Sequence, residues 1–225
     1  MARALLLAVA VTACPLAASP AAAAGVNLAV GMPLEFGEGV CTVGFFAYNR
    51  RDDHLAVTAG HCTDYIKQPV RSERGGRIGE VIAYQKDADD GAGGLIGSRG
   101  YTLILLSRRL SLQPYFTRIG TVDEGDAVRK YGERTGKTQG HITRVRYNNR
   151  RPDPPLIWSD MVQLPGDSGG PWVTGSATLV GIGSSGNQAR LGGGAGSQAQ
   201  PINAVIDMIR TNTGTWGAGF KVWIE

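Results

Sequence analysis

Two short stretches of this chain carry residue types that can do covalent chemistry. One is Leu55-Ala56-Val57-Thr58-Ala59-Gly60-His61-Cys62, the other Pro165-Gly166-Asp167-Ser168-Gly169-Gly170-Pro171. A serine hydroxyl attacks poorly until a base takes its proton, and histidine suits that task because its ordinary pKa is about 6.5. His61 is therefore the candidate general base and Ser168 the candidate nucleophile. Attack on a carbonyl leaves a negative oxygen that needs donors. Backbone N–H groups beside the serine can supply them, each worth roughly 3–4 kcal/mol. Glycine at 166 lets the backbone turn so that its N–H and that of Ser168 point into one hole. Gly169 and Gly170 leave room for a substrate chain, and the small residues before His61 allow close approach to it.

These motifs need strands and turns to hold them. Glycine, at 33 of 225 residues, is about twice as frequent as usual, which favours many short strands joined by turns. Residues 40–48 read as a strand, 49–53 as a charged turn, and 55–58 as the returning strand that runs into His61. Further short strands are expected near 69–70 and 77–84, then a Gly- and Asp-rich loop over 85–100. Tyr101–Leu106 is a continuous apolar run, expected to be buried on both faces. Residues 107–125 read as a connection, after which strands are expected at 128–131, 141–147, 157–163, 170–174 and 178–183. Pro201 opens one convincing helix, with Ile202, Val205, Ile206 and Ile209 at helical spacing up to Arg210. The tail from Thr213 is Gly-rich, then apolar through Phe220, Val222, Trp223 and Ile224; packing against a barrel is its simplest reading.

Residues 1–24 have the parts of a secretory signal: Arg3, the apolar run Leu5–Ala13, and small residues at Ala22–Ala24. Val11-Thr12-Ala13-Cys14 offers an alternative, a lipoprotein box that would anchor the chain through Cys14. Apart from such a lipid no membrane attachment is expected. After cleavage Cys41 and Cys62 remain, and an even pair in an exported chain reads as one disulfide. Neither these cysteines nor His54, His61 and His141 fall in a metal-ligand spacing. The formal charge of +4 is too mild to argue for nucleic acid, and Arg144, Arg146, Arg150 and Arg151 read as a solvated hairpin.

The two motifs, in the order His before Ser, resemble the chymotrypsin-like serine proteases, especially short secreted bacterial members. The resemblance covers nearly all of the mature chain. It implies an all-β fold of two six-stranded antiparallel barrels with the site in the cleft between them, plus a C-terminal helix. The corresponding division is 25–115, 116–200, and helix and tail over 201–225. It assigns His61 and Ser168 as catalytic, the N–H groups of Gly166 and Ser168 as oxyanion donors, and Ser184, Ser185 and Gly186 as the strand that pairs with substrate. It likens Cys41–Cys62 to the disulfide that fixes the base. It implies no cofactor or metal, a polypeptide substrate or protein ligand, and a monomer.

Three departures stand out. Gln139 and Val162 occupy the places where many bacterial members carry a second disulfide. Val162 also lies where the floor of the specificity pocket is expected, so no charge is evident there, and small or apolar side chains are expected before the scissile bond. No activated N-terminus of the Ile-Val-Gly-Gly kind is present, so no zymogen step is expected, and Asp167 needs some other partner. The largest departure is at the third triad member. The resemblance places an aspartate at the start of the apolar strand, and here Gly100 precedes Tyr101-Thr102-Leu103-Ile104. An acid could reach in from the loop before it, among Asp87, Asp89 and Asp90, with Asp90 preferred; a solvated acidic loop is the simpler expectation for all three. A secreted serine endopeptidase is the favoured function. A non-catalytic binding protein on the same scaffold, motivated by Gly100, and a slow His–Ser dyad are the rivals.

Overall fold

The computed structural model describes residues 27–89, 95–97, 100–147, 155–186 and 196–225. The proposed signal with Cys14, and Asp90, Arg150 and Arg151, lie outside these. The expected all-β architecture with one helix near the C-terminus is present.

One sheet has eight strands. In order of neighbours they are Lys221–Val222, Phe45–Tyr48, His54–Thr58, Tyr101–Leu106, Arg77–Gln85, Pro69–Arg71, Pro33–Phe36 and Gly39–Thr42. Its ladder is not closed, so it forms half a barrel. The second sheet runs Arg118–Ile119, Thr178–Ser185, Pro171–Thr174, Ala127–Gly132, Gly136–Arg146, Leu156–Ser159 and Ser197–Pro201. Ser197–Pro201 also pairs with Thr178–Ser185, which closes a six-stranded barrel.

The period of two along each strand sorts side chains between cores. Phe46, Ala56 and Ile104 point into the first sheet with Val43, Val70 and Val81. Their neighbours Phe45, Ala47, Leu55, Val57 and Leu103 face the other way, onto Val173, Leu179 and Ile182 of the second barrel. This is why Tyr101–Leu106 is an unbroken apolar run: both of its faces meet protein. The second barrel fills its own interior with Val128, Ile142, Trp172, Val180 and Ala199.

The helix Ile202–Asn212 buries Ile202, Val205, Ile206 and Ile209 in the layer between the sheets. The Thr213 hydroxyl ends it by donating to the Ile209 carbonyl at 2.7 Å. The tail then returns to the first sheet, where Lys221 and Val222 pair antiparallel with Tyr48 and Ala47. Several strand readings needed adjustment: the strand expected at 141–147 is the end of a longer one, Gly136–Arg146, and the connection over 107–125 carries the short strands Ser111–Gln113 and Arg118–Ile119. The run 40–48 is broken after Thr42, where a β-carbon on Gly44 would lie 2.6 Å from the Gly169 carbonyl. The strand expected at 157–163 ends at Ser159.

Candidate active site

His61 sits in a short 3-10 turn, Gly60–Cys62, directly after the strand His54–Thr58. A disulfide joins Cys62 to Cys41 and ties this turn to the strand Gly39–Thr42. Cys41, His61 and Cys62 are the one grouping of potential metal ligands among the described residues, and their sulfurs are bonded to each other, so they offer no thiolate.

Ser168 lies in a tight turn in which Asp167 N–H donates to the Leu164 carbonyl and Gly170 N–H to the Asp167 carbonyl. The turn needs a positive φ at Gly166 (103°) and Gly169 (85°). A β-carbon on Gly169 would also lie 1.8 Å from the Thr58 hydroxyl. The first sheet holds this turn through Thr42. Its N–H donates to the Ser168 carbonyl at 2.8 Å, and its hydroxyl donates to the Gly166 carbonyl at 2.8 Å.

The structure brings these residues together. His61 Nε2 is 2.8 Å from Ser168 Oγ, and on the other side of the ring Nδ1 is 2.5 Å from Asp87 Oδ2. The imidazole is 42% exposed, whereas the Asp87 side chain is 4% exposed. The simpler expectation of a solvated acidic loop therefore fails at Asp87. Asp90, preferred from the sequence, lies outside the described residues, and the carboxylate on Nδ1 belongs to Asp87.

The geometry explains the glycine at 100. Gln85 pairs with Tyr101 at the end of two adjacent antiparallel strands, so Asp87 emerges from one strand beside Gly100 at the start of the other. A β-carbon on Gly100 would lie 1.6 Å from Asp87 Oδ1 and 2.6 Å from its Cγ. Residue 100 must lack a side chain because a carboxylate from residue 87 fills that space. Gly60 is constrained similarly, since its β-carbon would lie 2.3 Å from the Gln85 carbonyl and 2.7 Å from Asp87 Oδ1.

Asp87 Oδ1 accepts from the Gly60 N–H at 3.3 Å and from Gln200 Nε2 at 2.9 Å. Gln200 is fully buried; its carbonyl oxygen accepts from the Gly100 N–H at 3.1 Å and its amide also donates to the Ser184 hydroxyl at 3.1 Å. Gln200 thus orients the carboxylate from the second barrel. Nothing in the sequence around it signals this, because its position depends on pairing between Ser197–Pro201 and Thr178–Ser185.

The partner missing for Asp167 is Lys130. The two side chains are fully buried and form an ion pair at 2.9 Å. Asp167 also accepts from the N–H groups of Leu164, Arg134 and Thr135, each at 2.9 Å, and from the Thr135 hydroxyl at 2.8 Å. Burial disfavours the charged carboxyl, but these hydrogen bonds outweigh it and hold Asp167 below the ordinary carboxyl range. Burial pushes the Lys130 ammonium down, against the pull of Asp167.

Ser184, Ser185 and Gly186 line a hollow of 180 Å³ together with His61, Ser168, Gln163, Leu164 and Pro165. Val162 is not its floor. Its side chain is on the surface, 47% exposed, and the adjacent Gln163 turns inward. The hairpin strand Gly136–Arg146 is still tied to this segment without a second disulfide, by the Thr138 hydroxyl donating to the Val162 carbonyl at 2.9 Å.

No family model matches the chain. No curated protein matches it. Solved structures do. Thermobifida fusca protease A aligns with 89% of this chain and 100% of its own, at 21% identity and a TM-score of 0.62. A glutamic acid specific serine protease, described as using a histidine triad in substrate binding, covers 87% of this chain and 100% of its own, at 20% identity and a TM-score of 0.63. Cellulomonas bogoriensis chymotrypsin covers 88% and 100%, at 19% identity and a TM-score of 0.60. The chain has the fold of the bacterial chymotrypsin-like serine proteases.

Proposed function

We propose that this protein is an exported serine endopeptidase that works through an acyl-enzyme on Ser168, with His61 as general base and acid and Asp87 as the third triad member. The observation that carries this reading is the continuous chain Asp87 Oδ2–His61 Nδ1 at 2.5 Å and His61 Nε2–Ser168 Oγ at 2.8 Å. His61 takes the hydroxyl proton as Oγ attacks the peptide carbonyl. Asp87 accepts a hydrogen bond from Nδ1–H, which fixes the tautomer that leaves Nε2 free as a base, and its negative charge stabilises the imidazolium once formed. The N–H groups of Gly166 and Ser168 receive the oxyanion. His61 then protonates the leaving amine, and water repeats the sequence on the acyl-enzyme. Export is supported by the Cys41–Cys62 disulfide, which persists in oxidising compartments, and by the signal-like residues 1–24.

The non-catalytic alternative rested on Gly100, and a carboxylate from residue 87 on Nδ1 takes away that premise. A fluorophosphonate probe applied to the purified, disulfide-bonded protein is expected to modify Ser168 at a rate that falls to background in Ser168→Ala and His61→Ala. Folded protein that leaves Ser168 unmodified would sink the proposal.

A further inference from the structure

We propose that the hollow beside Ser168 admits only small side chains, those of Gly, Ala or Ser, because Gln163 closes it from within; the inference rests on the protease reading above. The hollow lies between two segments, Gln163–Pro165 on one side and Ser184–Gly186 on the other. On the protease reading, the side chain of the residue whose carbonyl Ser168 attacks enters between them. Gln163 bridges that space. It is 2% exposed, its Nε2 donates to the Ser185 carbonyl at 2.8 Å, and its Oε1 accepts from Trp172 Nε1 at 3.3 Å.

The glycines opposite show how completely the space is used. A β-carbon on Gly183 would lie 2.1 Å from Gln163 Oε1 and 2.8 Å from its Cδ. One on Gly186 would lie 2.1 Å from the Gln163 carbonyl oxygen and 2.9 Å from its Cβ. Among the described residues the two walls are joined through Gln163, so a substrate side chain is left only the space that Gln163 does not fill. The closure is anchored at both ends of the amide, so swinging aside breaks its hydrogen bonds to the Ser185 carbonyl and to the buried Trp172 indole N–H. Among the described lining residues His61 is the sole titratable group, so these residues offer a cationic or anionic side chain no carboxylate or ammonium.

The test uses peptides that differ only in this side chain: Ala, Leu, Phe, Lys and Glu. Wild-type protein is assayed for kcat/KM on their anilides. Ser168→Ala protein is assayed for Kd on the matching peptide acids, a readout that needs no catalysis. Ala is expected to lead Leu and Phe by at least about 100-fold in kcat/KM, the scale of discrimination set by steric exclusion from an apolar site. Gln163→Ala should raise kcat/KM for Leu or Phe at least tenfold relative to Ala. Gln163→Met, which keeps the bulk and loses the hydrogen bonds, should retain the preference for Ala. Selective binding of the Ala acid without hydrolysis of any anilide would refute the protease reading and still support the closed hollow. Equal use of Ala and Phe, ratios unmoved by Gln163→Ala, or no peptide bound by either form would overturn the inference.

Discussion

Two buried carboxylates flank the Ser168–His61 pair, and they are satisfied in opposite ways. Asp167 meets a fixed cation, Lys130, along with three backbone N–H groups and a hydroxyl. Asp87 meets neutral donors, the Gly60 N–H and the Gln200 amide, plus one imidazole. A carboxylate cancelled by a permanent cation can brace a turn but has little field left for anything else. One held by neutral donors keeps its charge, and that charge favours a partner that becomes positive during a reaction. The difference separates a brace from the proposed triad member within one site.

The largest expected effect is on the Asp87 side. Asp87→Asn preserves the shape and is expected to lower kcat by about 10⁴, with the urea midpoint nearly unchanged. A loss below tenfold would put Asp87 in the same class as Asp167.

On the other side, Lys130→Met leaves Asp167 charged and buried, which should cost about 3–5 kcal/mol in urea unfolding. The pH dependence has a definite sign. Because Asp167 is held below its ordinary value of 3.8, the folded state binds fewer protons than the unfolded one just below that value. Its contribution is therefore present above pH 3.8 and lost as the pH falls through the folded value, a limb that Asp167→Asn should remove from a plot of urea midpoint against pH.

Smaller again is Gly100→Ala. Its β-carbon displaces the Asp87 carboxylate, and a misplacement of about 1 Å costs on the order of 10²-fold in turnover. Combining Gly100→Asp with Asp87→Gly should recover activity relative to Asp87→Gly alone, because the acid then approaches the same space from the neighbouring strand. Last comes Gln200→Met, which removes one hydrogen bond to Asp87 and should lower kcat about tenfold, with KM unchanged. A change in KM alone would assign Gln200 to the hollow through Ser184 instead.

The residues proposed to do the chemistry as base and nucleophile were legible from the sequence. His61 and Ser168 lie in compact motifs whose neighbours fold locally, and the apolar spacing of the helix from Ile202 reports its buried face directly. What stayed hidden depends on pairing between distant segments. Asp87 was one of three acids in a loop, and only the register of Gln85 against Tyr101 sets it beside Gly100. That glycine was itself the available signal: a residue without a side chain, opening a buried strand, marks space taken by something else. Lys130 looked like an ordinary strand lysine, since nothing local distinguishes a lysine that faces a barrel interior. Val162 was read as the pocket floor, and a shift of one residue, which moves a side chain to the opposite face, gives that place to Gln163.

The pairing of Lys221 and Val222 with Tyr48 and Ala47 has a consequence for how the molecule comes together. The edge of the sheet that carries His61 is supplied by nearly the last residues of the described chain. The Arg210 guanidinium steadies that return by donating twice to the Phe220 carbonyl, at 2.8 and 3.0 Å. The sheet that holds His61 thus completes its edge with chain that follows the barrel of Ser168 and the helix in sequence. Contacts between segments so far apart along the chain place folding in the slow, millisecond-to-second range typical of non-local β topologies. A chain that lacked this return would leave the Phe45–Tyr48 strand an unpaired edge.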